Sequence, residues 1–362
     1  MTRFGLIRLT LDELDPSPGF ADWLARERMS IAITKGNSLF LIGLAGDGSV
    51  AFIDCQFGLC MGLATTGPDT LFLATRYQLW RLENALPPGA TDDAGHDRIY
   101  LPQTAWTTGT LLVRDLAIEG EGTPLFVNGL FSCLSTVSGR LSFEPTWLPP
   151  FVSGLAPEDR CYLSGLALED GQPAVVTSAS RSDRRGGWRE HQRDGGVVVS
   201  VTTGEVIATG LSMPYSPLLA DGRLWLCLGG SGELATIDRA DGGVTAVAEL
   251  PGFTRGLEVR GGRAVVATSG PHRGETFDGL PLSDRLHGSD AAGRCGIFVI
   301  ELESGRVEHS LLFSGGSSEI HGLRLLPGVR FATAVPFTGS DVQELVTVPE
   351  MDEPGRRVAT TT

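Results

Sequence analysis

A short phrase recurs along this chain: one residue, then Gly-Leu or Pro-Leu, then an apolar strand. The clearest copy is Ser164-Gly165-Leu166, which runs on through a polar turn at Glu169-Asp170-Gly171 into a second apolar strand, 174–177. Others are Met61-Gly62-Leu63, Asn128-Gly129-Leu130, Ser216-Pro217-Leu218, Arg255-Gly256-Leu257 and His321-Gly322-Leu323. Copies spaced by roughly 35–65 residues mark an internal repeat of the size used by propellers, solenoids and arrays. A unit this small cannot bury both faces of its sheet alone, so neighbouring units must stack.

A second phrase supplies the other half of each unit. VVVSVTTGEVIATG (197–210), ELATIDRADGGVTAVAEL (233–250) and GIFVIELESGRVEHSLLF (296–313) each read as strand, tight turn, strand. A glycine in the turn (Gly204, Gly243 or Gly305) offers the positive φ that a hairpin needs. Joined, the two phrases give four antiparallel strands, which is one propeller blade. The expected fold is therefore all-β, a six-bladed β-propeller. Seven blades stay open if the loop 87–110, rich in Pro, Gly and Asp, hides strands.

The ends suggest how the ring closes. The C-terminal phrase IHGLRLLPGVRFATAVP supplies two strands. SIAIT, NSLFLIGL and VAFIDC near the N-terminus have no Gly-Leu strand before them. One blade shared between the two ends would leave no open sheet edge. The expected organisation is an extension over 1–28, a single propeller domain over 29–340 and a loose tail over 341–362. In the extension Phe20, Trp23 and Leu24 share one helical face, which predicts a short helix from near Pro18 outside the ring.

Composition narrows the partners. A net charge of −14 argues against nucleic acid and against an anionic membrane surface, both of which need a basic face. The six cysteines show no CxxC pairing and no zinc-ligand spacing, and several lie inside apolar strands, so buried free thiols are expected. The start, MTRFGLIRLT, lacks the apolar core of a signal peptide, and no apolar run approaches 18 residues. A cytoplasmic protein is the expectation.

In a propeller the innermost strand of each blade starts at the central channel. The residue before each Gly-Leu is then expected to rim that channel: Met61, Asn128, Ser164, Ser216, Arg255 and His321, with Tyr162, Tyr215 and Glu319 just upstream. Such a ring gathers polar groups from distant parts of the chain, as ligand sites do. The plainer alternative is that these residues only hydrogen-bond to loop backbone. Arg255 offers a fixed fork for a carboxylate or phosphate. His321, with Tyr162 or Tyr215, is the candidate acid or base, since imidazole titrates near neutral pH. Asn128, Ser164, Ser216, Glu319, Arg114 and Trp188 join Arg255 as candidate substrate contacts. A lone histidine is more commonly structural than a ligand, and a metal site usually needs three or four ligands. No cofactor is expected, although His321, Glu319 and Asn128 together leave an oxygen-favouring ion open.

Two inserts stand out. RSDRRGGWREHQRDGG (181–196) carries five arginines, Trp188 and His191 in an otherwise acidic protein, and either grips an anionic ligand or acidic partner or is simply solvated. GPHRGETFDGLPLSDRLHGSD (270–290) is long for a turn and long enough to cover a channel mouth. No nucleophile elbow, phosphate loop, HExxH or dinucleotide fingerprint is present.

The phrases ATRYQLWRLENAL, LFSCLST, LPPFVSGLAPEDRC, LSGLALEDG, GLSMPYSP, LWLCLGGSGEL, PGFTRGL, TFDGLPL and CGIFVIELESG resemble the bacterial DUF4915 family over roughly residues 23–340. The resemblance implies a propeller-like protein without an assigned biochemical role. Members of that family tend to carry histidine where this chain has Arg114, Tyr162 and Tyr215, and often Asn where Ser164 stands. His321 takes a place where they usually have another residue. If those histidines hold a metal in relatives, this chain lacks that site. Two functions follow as expectations. One is a central small-molecule pocket, belonging to an enzyme of specialised metabolism with an anionic or polar substrate. The other is a non-catalytic propeller that binds a protein or ligand through its rim loops.

Overall fold

The computed structural model describes residues 14–120, 122–271, 277–287, 293–314, 319–337 and 345–347, and the backbone of 351–353 and 356–357. After β1 (Leu14–Pro16) and α1 (Phe20–Glu27) the chain builds six four-stranded blades in order. Blade 1 holds β2 (Met29–Lys35), β3 (Ser38–Leu44) and β4 (Val50–Gln56). Blade 2 is β5 (Leu63–Gly67), β6 (Thr70–Ala74), β7 (Gln78–Asn84) and β8 (Arg98–Thr107), and blade 3 is β9 (Val113–Glu119), β10 (Thr123–Asn128), β11 (Cys133–Thr136) and β12 (Glu144–Trp147). Blade 4 is β13 (Leu163–Glu169), β14 (Gln172–Ser178), β15 (Gly196–Ser200) and β16 (Val206–Leu211), and blade 5 is β17 (Pro214–Ala220), β18 (Arg223–Leu228), β19 (Glu233–Ile237) and β20 (Val244–Glu249). Blade 6 is β21 (Phe253–Arg260), β22 (Arg263–Ser269), β23 (Gly296–Glu301) and β24 (Val307–Phe313). The innermost strand of blade 1 is β25 (Ile320–Pro327), which arrives from the other end of the chain.

The strand sequences follow from this stacking. Middle strands are covered on both faces by neighbouring blades, so SLFLIGL of β3 and RLWLCL of β18 are apolar without alternation. The outermost strands meet water: EPTW of β12 is exposed along three of its four residues. All six cysteines are free and buried, and burial pushes the thiols of Cys133 and Cys295 up to about 11.

The ends close the ring by sharing one blade, as expected, with one strand placed differently. β25 pairs antiparallel with β2 from Met29↔Pro327 to Lys35↔Ile320, so both termini do share blade 1. The C-terminal segment gives that blade one strand rather than two. Its second strand, β26 (Ala332–Ala334), crosses to blade 2 and runs parallel to β8. Blade 1 already has its four strands, whereas the outer edge of β8 is free. At blade 6, β1 likewise covers the outer edge of β24. The blades on either side of the closure are thus capped by the chain ends, which removes exposed pairing edges. The 87–110 loop does hide a strand, but it is β8, the fourth strand of blade 2, so the count stays at six.

The expected helix is α1. It buries Phe20, Trp23 and Leu24, with the Trp23 ring 6.3 Å from His309 of β24. The tail expected beyond 341 falls mostly outside the described residues, as do parts of the 270–290 insert.

Candidate functional site

The repeated phrase is a β-bulge. In five of the six inner strands the pairing with the second strand slips by one residue there: at 113–116, 163–165, 215–218, 254–257 and 320–322. A bulge adds one unpaired residue and re-aims its side chain. The glycine that follows answers a second demand, because the next blade's inner strand lies against it. A Cβ on Gly62 would meet Leu116 Cβ at 3.0 Å, and one on Gly256 would meet Leu323 Cβ at 3.0 Å. A Cβ on Gly165 would collide with Pro217 and the Ser216 backbone nitrogen.

This geometry corrects one member of the expected ring. Asn128 is not at the channel. It ends β10, the second strand of blade 3, fully buried, where its Oδ1 accepts the Phe131 N–H at 3.2 Å and its Nδ2 donates to Ser135 Oγ at 3.4 Å. The true copy in blade 3 is Arg114-Asp115-Leu116 of β9. Asp115 occupies the glycine position and bridges to the next blade instead, its carboxylate accepting the N–H groups of Leu116 (2.9 Å) and Leu166 (3.0 Å).

At the level of the bulges the channel has a neck. Arg114 makes a two-point contact with Asp159 (3.0 and 2.7 Å), and its guanidinium carbon lies 3.4 Å from the centre of the Tyr162 ring. Burial works against that charge, but Tyr162 and Asp159 outweigh it and raise the guanidinium's pKa. The Tyr215 hydroxyl donates to the Tyr162 hydroxyl at 2.6 Å. Trp188 packs 4.3 Å from Tyr162 and donates its indole N–H to Asp159 at 3.2 Å. Arg255 lies 4.7 Å over the Tyr215 ring. Burial, then the neighbouring Tyr162, pushes the Tyr215 phenol well above its ordinary value, so Tyr215 is a neutral phenol at physiological pH.

The two serines of the ring spend their hydroxyls on neighbouring blades, although Ser216 also lines the cavity described below. Ser164 Oγ donates to the Pro214 carbonyl at 2.6 Å and bonds Thr177, tying blade 4 to blade 5. Ser216, at φ 47°, accepts the Gly256 N–H at 3.0 Å and ties blade 5 to blade 6. Both hydroxyls thus bond to neighbouring blades, and Tyr162 and Tyr215 stand at the neck.

Arg255 and His321 differ from the rest. They are 7% and 9% exposed, and among the described residues neither Arg255 Nε nor His321 Nδ1 has a hydrogen-bond partner. Glu319 stands 3.9 Å from His321 Nε2. Burial and then the charge of Arg255 hold the imidazole well below its ordinary pKa. His321 is therefore neutral at physiological pH and does not titrate there as the sequence suggested.

Beyond the neck the channel opens into a cavity of roughly 400 Å³ to which every blade contributes, with Thr65, Ile118, Leu168, Leu218, Glu258 and Arg324 in its wall. The inner strands thus do start around one axis. Arg324 reaches across from blade 1. Its Nη1 is 3.5 Å from Glu258 of blade 6 and its Nη2 3.8 Å from Asp115 of blade 3, while its hydrogen bonds go to the carbonyls of Leu323 (2.7 Å) and Leu116 (3.3 Å). Burial raises the pKa of both carboxyls, and Arg324 opposes it. Sequence reading missed all three residues. The available signal was the position after Gly-Leu, which is charged only in Leu257-Glu258 and Leu323-Arg324.

The inserts meet beside the neck. Arg193 donates to Asp284 (2.7 Å), joining the loop that carries a short 3-10 turn (Gly187–His191) to α2 (Pro281–Leu286). Three of the loop's other four arginines find local partners: Arg184 with Glu190, Arg185 with Glu158, and Arg189 over the Trp188 ring. Among the described residues no group of three His, Cys, Asp or Glu side chains is placed to hold a metal ion.

The model of the family described as a domain of unknown function, DUF4915, matches residues 18–335. The chain belongs to the DUF4915 family. The match runs from just before α1 through β26, so it spans all six blades and the β26 cap, with β1 outside it. The three positions where the resemblance implied histidine in other DUF4915 members, Arg114, Tyr162 and Tyr215, are in mutual contact, on three successive blades. No curated protein matches the chain. Among solved structures it is similar to a chain of a nidogen/laminin complex (8% identity, TM-score 0.50, 83% of this chain and 99% of that one). It is also similar to a putative TolB from Agrobacterium tumefaciens (14% identity, TM-score 0.46, 84% and 98%). Likeness at such low identity concerns the fold alone.

Proposed function

We propose that this DUF4915 protein binds a small anionic or polar molecule in its central channel, with Arg255 as the anchor for the anionic group. One observation carries the reading. Arg255 is a buried guanidinium with an unpartnered Nε and, among the described residues, no ion pair, whereas the Arg114 guanidinium on the same ring is fully matched by Asp159. An unpaired buried charge is costly, and an incoming carboxylate or phosphate removes that cost through the fork of donors. The cavity beyond it falls in the size range of small-molecule sites.

Proton transfer is a second reading, favoured by His321. A neutral imidazole beside Arg255 offers a ring nitrogen to a hydrogen-bond donor of a ligand held there, and the Tyr162–Tyr215 pair supplies hydroxyl groups. Binding through the rim has less support, because the arginines of the 181–196 loop are mostly spent on local partners. Six unpaired thiols fit a reducing compartment, so the cytoplasm is the proposed location. Among the described residues no helix is long and apolar enough to cross a membrane.

Ligand binding to the native state raises the melting temperature. Inorganic phosphate and succinate should therefore raise the melting temperature of the wild type and fail to do so in Arg255→Met. Equal responses in the two proteins would mean that any anion effect is general salting and that Arg255 is no anchor.

A further inference from the structure

We propose that the channel ligand is a zwitterion, with its anionic group at Arg255 in the neck and its ammonium group at Glu258 in the cavity. The inference rests on the small-molecule reading above and names the class of molecule.

The charges of the channel fall into two unequal groups. In the neck, Arg114 is cancelled by Asp159 and Arg255 has no carboxylate partner among the described residues. In the cavity, a single guanidinium, Arg324, stands between two carboxyls, those of Asp115 and Glu258. Counting the buried groups alone, which leaves aside Glu319 because its side chain is half exposed, and with both carboxylates ionised, the neck holds one surplus positive charge and the cavity one surplus negative charge, with Arg255 also acting on Asp115. A purely anionic ligand would answer the first and leave the second buried and uncompensated; a purely cationic ligand would do the reverse. A molecule carrying both charges, anion towards the neck, answers both and adds no net charge to the interior.

Of the two cavity carboxyls, Glu258 is the open one. Asp115 accepts backbone N–H groups from Leu116 and Leu166. Glu258 lines the cavity, and Arg324 approaches it only to 3.5 Å while giving its hydrogen bonds to backbone carbonyls. Among the described residues no hydrogen bond reaches the Glu258 carboxylate, so its acceptor capacity is unspent. Burial raises the pKa of Glu258, and an arriving ammonium group would reverse that by favouring the ionised form.

One strand sets the spacing. Arg255 and Glu258 both lie on β21, three residues apart, which is about 10 Å along an extended chain. Strict alternation would turn them to opposite faces, but the bulge between Thr254 and Leu257 breaks the alternation. Arg255 consequently lies over Tyr215 of blade 5 and influences His321 of blade 1, while Glu258 meets Arg324 of blade 1. Both side chains serve the axis at different depths. The cavity of roughly 400 Å³ lined by Glu258, with Arg255 three residues away on the same strand, has room for an aliphatic amino acid with separated ends.

The test is a binding titration of the wild-type protein, followed by NMR, with three matched probe sets. These are the ω-amino acids 4-aminobutyrate, 5-aminopentanoate and 6-aminohexanoate, the parent acids butyrate, pentanoate and hexanoate, and the corresponding alkylamines. At least one ω-amino acid should bind about tenfold more tightly than both its parent acid and its amine. In Glu258→Gln that advantage over the parent acid should collapse to parity, and in Arg255→Met the advantage over the amine should collapse. If the parent acids bind the wild type as tightly as the amino acids, the zwitterion inference falls while the anion site survives. If no probe of any set binds, both readings fall. The wild-type comparison needs no variant to fold, so a misfolded substitution does not shield the proposal.

Discussion

The neck has two halves built from the same structural position. On blades 3 to 5 the half is closed: Arg114 is matched by Asp159, roofed by Trp188 and stacked on Tyr162, whose hydroxyl takes the bond from Tyr215. On blades 6 and 1 the half is open: Arg255 and His321 are just as buried, yet each keeps a nitrogen without a partner. The bulge presents a side chain to the axis in both. What differs is whether the rest of the chain supplies a counter-group. Proteins rarely leave buried polar atoms unmatched, so the open half marks where something other than the chain is expected. The contrast separates an arginine matched inside the chain from one whose charge the described residues leave unmatched.

The contrast is broken most severely at Arg114. Arg114→Ala leaves Asp159 buried without its counter-charge and removes the platform under Tyr162, and should cost about 3–5 kcal/mol in urea unfolding. A loss under about 1 kcal/mol would mean that the closed half is not structural. Next in size is the glycine that lets the neck form. In Gly165→Ala the new methyl group meets Pro217 and the Ser216 backbone, neither of which can swing away. The expected cost is about 1–3 kcal/mol. It should be accompanied by faster amide exchange at the adjacent Leu166, whose N–H binds Asp115 across the opposite seam, that between blades 3 and 4. Arg255→Met should behave oppositely to Arg114→Ala. Removing an unpaired buried charge leaves stability unchanged or raises it by about 1 kcal/mol, read from the same urea transitions. A large loss at Arg255 would show that its charge is already matched inside the chain.

How much of this was legible in the sequence depends on whether one tripeptide alone carries the information. The Gly-Leu phrase marked the bulges, and with them Arg255 and His321, because the glycine is required by the neighbouring strand. It misled at Asn128-Gly129-Leu130, where a glycine is needed for another reason: a Cβ there would strike the Arg114 guanidinium and the Leu112 carbonyl. It concealed the blade 3 copy, because Asp115 replaces the glycine and substitutes a hydrogen bond for close packing. Asp159 and Trp188 complete the closed half from loops whose positions depend on tertiary packing; the arginine-rich loop drew attention to Trp188, but no local pattern announces Asp159. Cavity residues Glu258 and Arg324 were present in the repeat but gain meaning only when blades 6 and 1 are placed side by side. Nor does anything in VRFATA say that it will leave the closing blade, since the free edge it finds belongs to β8.

The smallest expected effect concerns pH and bears on the open half alone. His321 has its pKa lowered in the folded state, by burial first and by Arg255 second, and Glu319 at 3.9 Å does not restore it. In the unfolded chain the imidazole titrates near 6.5. Above that pH both states are neutral at this position and His321 contributes no pH dependence. As pH falls below it the unfolded chain gains a proton that the folded chain refuses, so stability is lost on acidification, by at most about 1.4 kcal/mol per pH unit. Asp115 and Glu258 act with the opposite sign, because their raised pKa values let the folded state take protons first as pH falls. The two contributions separate by difference. Wild type and His321→Gln should lose stability unequally between pH 6.5 and 5.5, the variant less steeply, because the carboxyls are common to both. An ammonium-bearing ligand at Glu258 should flatten the carboxyl contribution while leaving the His321 difference intact. Parallel stability curves for the two proteins would instead mean that His321 protonates freely in the folded state, and the open half of the neck would then be a wet surface rather than a buried site awaiting its ligand.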